Sequence, residues 1–295
     1  MRAVVLSRSG SADRLTLAEV PKPTTRPGEI LVRIRAASVT RGDVALRRMP
    51  RLVTRLVGET PKSILGHEFA GDVEEVGGEV TSLAIGDRVF GTTTGLRQGS
   101  YAEYVAIPAR GLVTTIPADI TYDEAAPVPV GAMTALHFLR DGGVGSGKRV
   151  LINGASGSVG SFAVQIAKHL GSHVTGVSST SNVELVESLG ADEVIDYTQR
   201  DFTRSDRAYD VIFDAVGKTS AREVRRALTE GGAFVTTQTR RDETVEELLA
   251  VRDLLVAGAL RAVVDKRYTL EQIAEAHRHV EQGRKRGNVL LVLRG

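Results

Sequence analysis

The chain has 295 residues, 42% hydrophobic and 25% charged, a composition that folds around real cores at a length that divides into two domains. With 38 Lys and Arg against 36 Asp and Glu, the net charge of +2 gives no uniform field to draw the protein toward nucleic acid or an anionic membrane. The absence of cysteine excludes disulfides, thiol nucleophiles and thiolate-bound zinc together.

The opening, Met1 to Gly10, carries too short an apolar run for a signal segment, and no stretch approaches the ~20 apolar residues of a spanning helix. A cytoplasmic protein working on small molecules is expected, with no nucleic-acid and no membrane partner. Up to about residue 120, short β-rich runs alternate with Gly and Pro: Ala3–Leu6, Ile30–Ala36, Phe69–Val76, Arg88–Phe90 and Tyr101–Ala106. They predict a mainly β domain.

From Ala125 the rhythm changes to alternating strand and helix, the pattern of a parallel sheet with crossover helices. The strands are expected at Arg149–Asn153, His173–Val177, Glu193–Ile195, Asp210–Phe213, Ala233–Thr236 and Ala262–Val264. Ser161–Leu170 reads as a helix with one face on the sheet: Phe162, Ile166 and Leu170 recur four apart, Ala163 and Ala167 fill the same side, and Gly171 is placed to end it. Tyr268–His277 and Val289–Leu293 read as a last helix and strand returning to the first domain. The expected division is therefore 1–121 with 268–295, and 122–267. The basic cluster Arg284-Lys285-Arg286 reads as a solvated turn.

Arg149–Asn153 runs into Gly154-Ala-Ser-Gly157-Ser-Val-Gly160 and directly on into the helix. Glycines tighten such a turn and let backbone approach a pyrophosphate, while the free N–H groups and dipole of the helix start attract its charge. At the first strand of a run of βα units, this is a dinucleotide fingerprint. An NAD site usually carries an acid about 20 residues on for the ribose 2′-hydroxyl. Here the second strand ends in Val177-Ser-Ser-Thr-Ser-Asn182, hydroxyls and an amide that tolerate a 2′-phosphate. NADPH is expected ahead of NADH.

Pro27-Gly-Glu-Ile-Leu-Val-Arg-Ile34, Gly66-His-Glu-Phe-Ala-Gly71, Gly86-Asp-Arg-Val-Phe-Gly91 and Gly99-Ser-Tyr-Ala-Glu-Tyr104 follow one another in an order that resembles the medium-chain dehydrogenase/reductases. Ala125-Ala-Pro-Val-Pro-Val130, Asp196-Tyr197 and Asp210-Val-Ile-Phe-Asp-Ala-Val-Gly217 extend the resemblance along nearly the whole chain. It implies an α/β protein: a GroES-like, mainly β catalytic domain plus a Rossmann-type doubly wound parallel sheet. It also implies that Ser156, Gly157, Ser158 and Val159 hold the pyrophosphate, that Ser178, Ser179 and Asn182 form the 2′-phosphate region, and that Tyr197 packs near the adenosine. Ala215, Val216 and Gly217 would line the nicotinamide ribose side.

The zinc alcohol dehydrogenases of that superfamily hold their metal with a cysteine, the histidine of the Gly-His-Glu segment and a third ligand. Of these only His67 stands in this chain, with Thr40 at the first cysteine's place and Val130 or a neighbour near the third, and a catalytic zinc needs three protein ligands. No zinc is expected. The resemblance is to the zinc-free quinone oxidoreductase-like branch, which implies hydride transfer from NADPH to a quinone or activated enone held in a cleft between the domains. Thr40, Asp43 and Tyr101 are the candidates for shaping that pocket or relaying a proton, with domain-packing hydrogen bonds as the equal alternative for each. A metal-free alcohol or aldehyde oxidoreductase and a catalytically silent NADPH-binding redox sensor or subunit are the rival readings. Relative to the family, the chain is short between Thr239 and Glu246, where a further strand and loops are usual, so a homodimer formed across sheet edges would have a weakened or altered interface.

Overall fold

A computed structural model describes residues 1–50, 64–94, 99–204, 208–239 and 241–293. In chain order, the first part holds β1 (Arg2–Leu6), β2 (Leu15–Glu19), β3 (Glu29–Val39), helix α1 (Arg41–Arg48), β4 (Glu68–Val76), β5 (Arg88–Thr92), β6 (Tyr104–Pro108), β7 (Val113–Thr115), α2 (Tyr122–Ala125) and α3 (Pro129–Asp141). There follow β8 (Arg149–Asn153), α4 (Ser158–His169), β9 (His173–Ser178), α5 (Val183–Ser188), β10 (Glu193–Asp196), β11 (Tyr209–Asp214), α6 (Ala221–Val224), β12 (Leu228–Thr236), α7 (Val245–Val256), β13 (Val264–Tyr268), α8 (Ile273–Glu281) and β14 (Asn288–Val292). The chain divides into two compact units, one formed by 1–130, 244–252 and 264–295 and the other by 131–243 and 253–263.

The first unit is built on a seven-stranded sheet in the order β13-β14-β3-β4-β5-β7, with β6 also on β3. Alternate residues of β3, Ile30, Val32 and Ile34, share one buried core with Phe69 and Val73 of β4 and Val289 and Leu291 of β14, as the period of two along a strand dictates. Helix α8 contributes Ile273, Ala276 and Val280, the i, i+3, i+7 stripe of an amphipathic helix, to the same core. Helices α1 and α2 both begin in capping boxes, Thr40 with Asp43 and Thr121 with Glu124, in which each side chain satisfies the other residue's backbone N–H.

The second unit is a five-stranded parallel sheet in the order β10-β9-β8-β11-β12. The crossover helices α4 and α5 carry the chain between neighbouring parallel strands on one side of β8, and the direction reverses between β8 and β11, the switch point of a doubly wound sheet. β8, at the centre, is buried along Val150, Leu151 and Ile152. The helix after it, α4, packs on the strands as its apolar repeat predicts, and Gly160 through Ala167 are all buried. Its outer side is covered as well, because Gln165 exchanges hydrogen bonds with the Arg261 backbone, Nε2 to O at 3.1 Å and N to Oε1 at 2.9 Å. The helix also starts at Ser158, three residues before the apolar repeat becomes visible, and ends where Gly171 turns to a φ of +81°.

One correction concerns Ala262–Val264, expected as a sixth strand of the parallel sheet. The strand there begins at Val264 and pairs in parallel with β14, in the sheet of the first unit. Among the described residues the parallel sheet therefore ends at β12, whose Ala233 to Thr236 are only half-buried. A second correction concerns the basic turn: Arg284 and Arg286 are exposed, but Lys285 folds in to donate to the Gly287 carbonyl. Burial of its ammonium lowers the pKa to about 8, against the opposing pull of Glu68 and Asp265. Among the described residues no helix is long and apolar enough to cross a membrane.

Candidate functional site

In the second unit, the C-terminal ends of four adjacent parallel strands gather the expected cofactor residues. Ser156 to Val159 follow β8, Ser178 to Asn182 follow β9, Tyr197 follows β10, and Ala215 to Gly217 follow β11. This is the carboxyl edge on which open α/β sheets bind ligands. The turn after β8 depends on two glycines. Gly154 has φ +81°, and a Cβ on it would lie 2.6 Å from Cγ2 of Val216. A Cβ on Gly160 would lie 2.1 Å from the Gly154 carbonyl oxygen, so the first turn of α4 rests directly on the turn before it. Gly157 occupies the N-cap of α4 without a side-chain cap, and no acid sits in the first turn, which leaves a helix start suited to an anion.

The loop after β9 is tied to that turn by Asn182. Its Nδ2 donates to Ser156 Oγ and to Ser179 Oγ, both at 3.2 Å, while its Oδ1 is buried without a partner among the described residues. An orphan acceptor at this point fits a ribose or phosphate-bearing ligand with hydroxyls to donate. Ser178 is buried, with its hydroxyl turned to the Ser179 carbonyl at 3.3 Å, whereas Ser179 is half-exposed and within 3.2 Å of Ser181. Tyr197 is 60% exposed, next to the β9 end. Asp196 beside it is engaged by Thr180 Oγ1, by the amide and hydroxyl of Thr198, and by Gln199. The residues present fit a dinucleotide.

Two residues that the sequence reading passed over hold this edge together. Asp214, the last residue of β11, is fully buried and accepts from the amides of Val216, Lys218 and Thr219 at 3.0, 2.9 and 2.7 Å, and from Asn153 Nδ2 at 2.9 Å. Asn153 in turn ends β8, immediately before the glycine turn. The available signal was an acid closing the otherwise apolar run Val211-Ile-Phe213.

In the first unit, Thr40, Asp43 and Tyr101 do come near one another, but around α1. Thr40 is its N-cap: its hydroxyl accepts from the Asp43 amide at 3.1 Å and donates to Asp43 Oδ2 at 2.7 Å, and its own amide donates to the same oxygen at 2.8 Å. The other oxygen of Asp43 lies 2.6 Å from Nδ1 of His67. Burial acts to raise the Asp43 pKa, and the His67 ring and the Thr40 bonds outweigh it, bringing it to about 2. Tyr101 is fully buried, its hydroxyl without a hydrogen-bond partner among the described residues and its ring edge-on to His277 at 5.7 Å. Burial first, and the Asp43 carboxylate second, push its pKa well above the usual value.

The same corner tests the fit of a zinc ion. Thr40 and Asp43 are engaged in the capping box, Asp43 also in the pair with His67, and the Glu68 carboxylate accepts from the Val130 amide at 2.7 Å and from Ser38. A catalytic zinc takes three protein donors plus an open position. Here His67, with Nδ1 turned to Asp43, has one ring nitrogen left to offer, as a metal-bound histidine would, but both oxygens of Glu68 already accept from Val130 and Ser38, and Val130 itself brings no side-chain donor to make up three ligands. These residues do not fit that ion.

The alcohol dehydrogenase GroES-like domain family matches residues 26–118, and the zinc-binding dehydrogenase family matches residues 158–280. The chain is 32% identical to the 2-methylene-furan-3-one reductase of Solanum lycopersicum, over 99% of this chain and 79% of that protein. It is 30% identical to the chloroplastic NADPH-dependent alkenal/one oxidoreductase of Arabidopsis thaliana, with the same coverage of each. Among solved structures, the quinone oxidoreductase from Coxiella burnetii superposes with a TM-score of 0.87 at 27% identity, covering 100% of this chain and 99% of that one.

Proposed function

Because the chain belongs to the quinone oxidoreductase-like branch of the medium-chain dehydrogenase/reductase superfamily, we propose that it transfers a hydride from NADPH to an activated enone or a quinone without a metal ion. The observation that carries the reading is the cofactor edge: Gly154, Gly160 and the uncapped start of α4 with Asn182 and its orphan oxygen alongside. Ser156 to Val159 would hold the pyrophosphate, Ser179 and Asn182 the ribose 2′ side, and Ala215 to Gly217 the nicotinamide ribose.

A reduced nicotinamide bound there supplies a hydride from its C4, and the oxidised cofactor is its product. An enone takes the hydride at its β-carbon and a quinone at its ring, and solvent water supplies the proton that completes the saturated ketone or the hydroquinone. Such acceptors are electrophilic without a Lewis acid, which suits a corner whose donors do not fit zinc; unactivated ketones should be poor substrates. The protein contributes position: the loops after β8, β9 and β11 are fixed to one another before any ligand arrives, so little ordering remains to oppose binding.

NADPH over NADH is supported by the residues at the end of β9. Ser179, Ser181 and Asn182 offer hydroxyls and an amide where a carboxylate would repel a 2′-phosphate, and the Asp196 carboxylate is already engaged by four donors. A homodimer across the β12 edge would have an interface unlike that of longer relatives, which sedimentation against a full-length relative would reveal; an unchanged family-type dimer would sink that part.

The test is oxidation of NADPH, with NADH in parallel and chelator present, against a panel of quinones, enones and simple ketones. Fast turnover of enones or quinones, faster with NADPH, is expected. Turnover confined to simple alcohols and ketones would favour the alcohol or aldehyde reading, and tight binding without turnover would make the chain a cofactor-binding module.

A further inference from the structure

Asp214 presents a physical problem whose solution points to a role. A carboxylate at the end of a strand in which Val211, Ile212 and Phe213 are buried is costly to bury unless nearly every lone pair finds a donor. Asp214 finds four. Oδ1 accepts from Asn153 Nδ2 at 2.9 Å and the Val216 amide at 3.0 Å, and Oδ2 from the Lys218 amide at 2.9 Å and the Thr219 amide at 2.7 Å. Three donors are backbone groups of one short loop, which is therefore wound around the carboxylate; the fourth belongs to the residue before the glycine turn.

The same loop is held from two further directions. Gly217 takes φ +70°, and its carbonyl accepts from Gln238 Nε2 at 2.7 Å. The Val216 side chain fills the space beside Gly154, at 2.6 Å from where a Cβ would stand. We infer that Asp214 is a positioning residue: it fixes the Ala215–Gly217 loop that receives the nicotinamide half of the cofactor and, through Asn153 and Val216, sets it in register with the turn that receives the pyrophosphate.

The inference rests on the cofactor reading proposed above. Only a carboxylate can accept on both oxygens, so Asp214→Asn places an NH2 group against one pair of donors and frees that pair while leaving volume and shape unchanged. The expected result is selective. Affinity for NADPH falls by about 10- to 100-fold, the loss of charge-assisted bonds that hold the loop, while affinity for adenosine 2′,5′-bisphosphate, which lacks the nicotinamide half, stays within about twofold. Calorimetric titration of both ligands reads this directly, without turnover. Asn153→Ala removes one donor, keeps the three backbone bonds, and should show the same selectivity at a smaller size; it decides the matter if Asp214→Asn does not fold.

Unchanged NADPH affinity in a folded variant, or equal loss of both ligands, overturns the positioning role and leaves the proposed function standing. Failure of the wild-type protein to bind either nicotinamide cofactor overturns both. Selective loss of NADPH in a protein that reduces no enone or quinone supports the positioning role while the proposed function fails.

Discussion

Replacing Gly160 by alanine tests the cofactor cradle most directly. The new methyl carbon would stand 2.1 Å from the Gly154 carbonyl oxygen, 2.7 Å from its carbon and 2.9 Å from Cα of Ala155, all backbone atoms that cannot rotate away. An ordinary contact is about 3.5 Å, so the first turn of α4 and the glycine turn must separate by more than about 1 Å. Overpacking of this kind costs about 1–3 kcal/mol, and for a chain of this size a melting temperature lower by roughly 5 °C. It also moves the helix-start amides away from where they meet a pyrophosphate, so NADPH should bind about 10- to 100-fold more weakly. Gly157→Ala is the control. Its φ is −81° and its methyl would sit 3.3 Å from the same carbonyl, so as a control for the backbone clash it should change stability by less than about 1 kcal/mol; any loss of NADPH affinity there reports a methyl group set against the pyrophosphate. Fluorescence titration with NADPH and a thermal melt of each variant check both. Wild-type affinity and melting in Gly160→Ala, or melting temperatures lowered equally in the two variants, would refute the reasoning that the close packing of this turn on α4 forms the cradle.

Two further outcomes follow from the buried and rim residues. His277 is fully buried, and desolvation lowers its pKa from 6.5 to about 4. The unfolded chain then binds the extra proton between those values, so stability is intact near pH 7 and falls with pH through that window, by roughly 2 kcal/mol at pH 5. In His277→Leu that share of the acid sensitivity should vanish, and urea denaturation at both pH values that gave an unchanged difference would count against a neutral buried imidazole. At the ribose rim, Ser179→Asp sets a carboxylate where the 2′-phosphate is expected and should shift the ratio of NADPH to NADH affinity toward NADH by about tenfold or more. Ser181→Arg should move it the other way. Ratios that do not move in either variant would mean that the β9 loop does not meet the ribose.

What the sequence disclosed, and what it hid, divides along the reach of the interactions. Strand β8, the glycine turn and the helix after it were readable because each depends on neighbours within a few residues, and β8 spans the expected Arg149–Asn153. The run Ala262–Val264 misleads because an apolar stretch looks the same in either sheet; the pairing with β14 that decides it comes from residues about two dozen positions later. Thr40 and Asp43 stand three apart, the spacing of a capping box, so the structural reading of that pair was already available in the chain. The contact of Asp43 with His67, across 24 residues, was not. This separates the two kinds of candidate. Residue types that can do acid–base chemistry are also the types that cap helices, and type alone cannot tell them apart. A cofactor edge is easier to foresee, because its ligands are largely backbone amides whose placement follows from glycines and strand ends. Asp214 lies between these cases: an acid ending an apolar strand is visible as an anomaly, but only the three amides folded back upon it show what the anomaly is for.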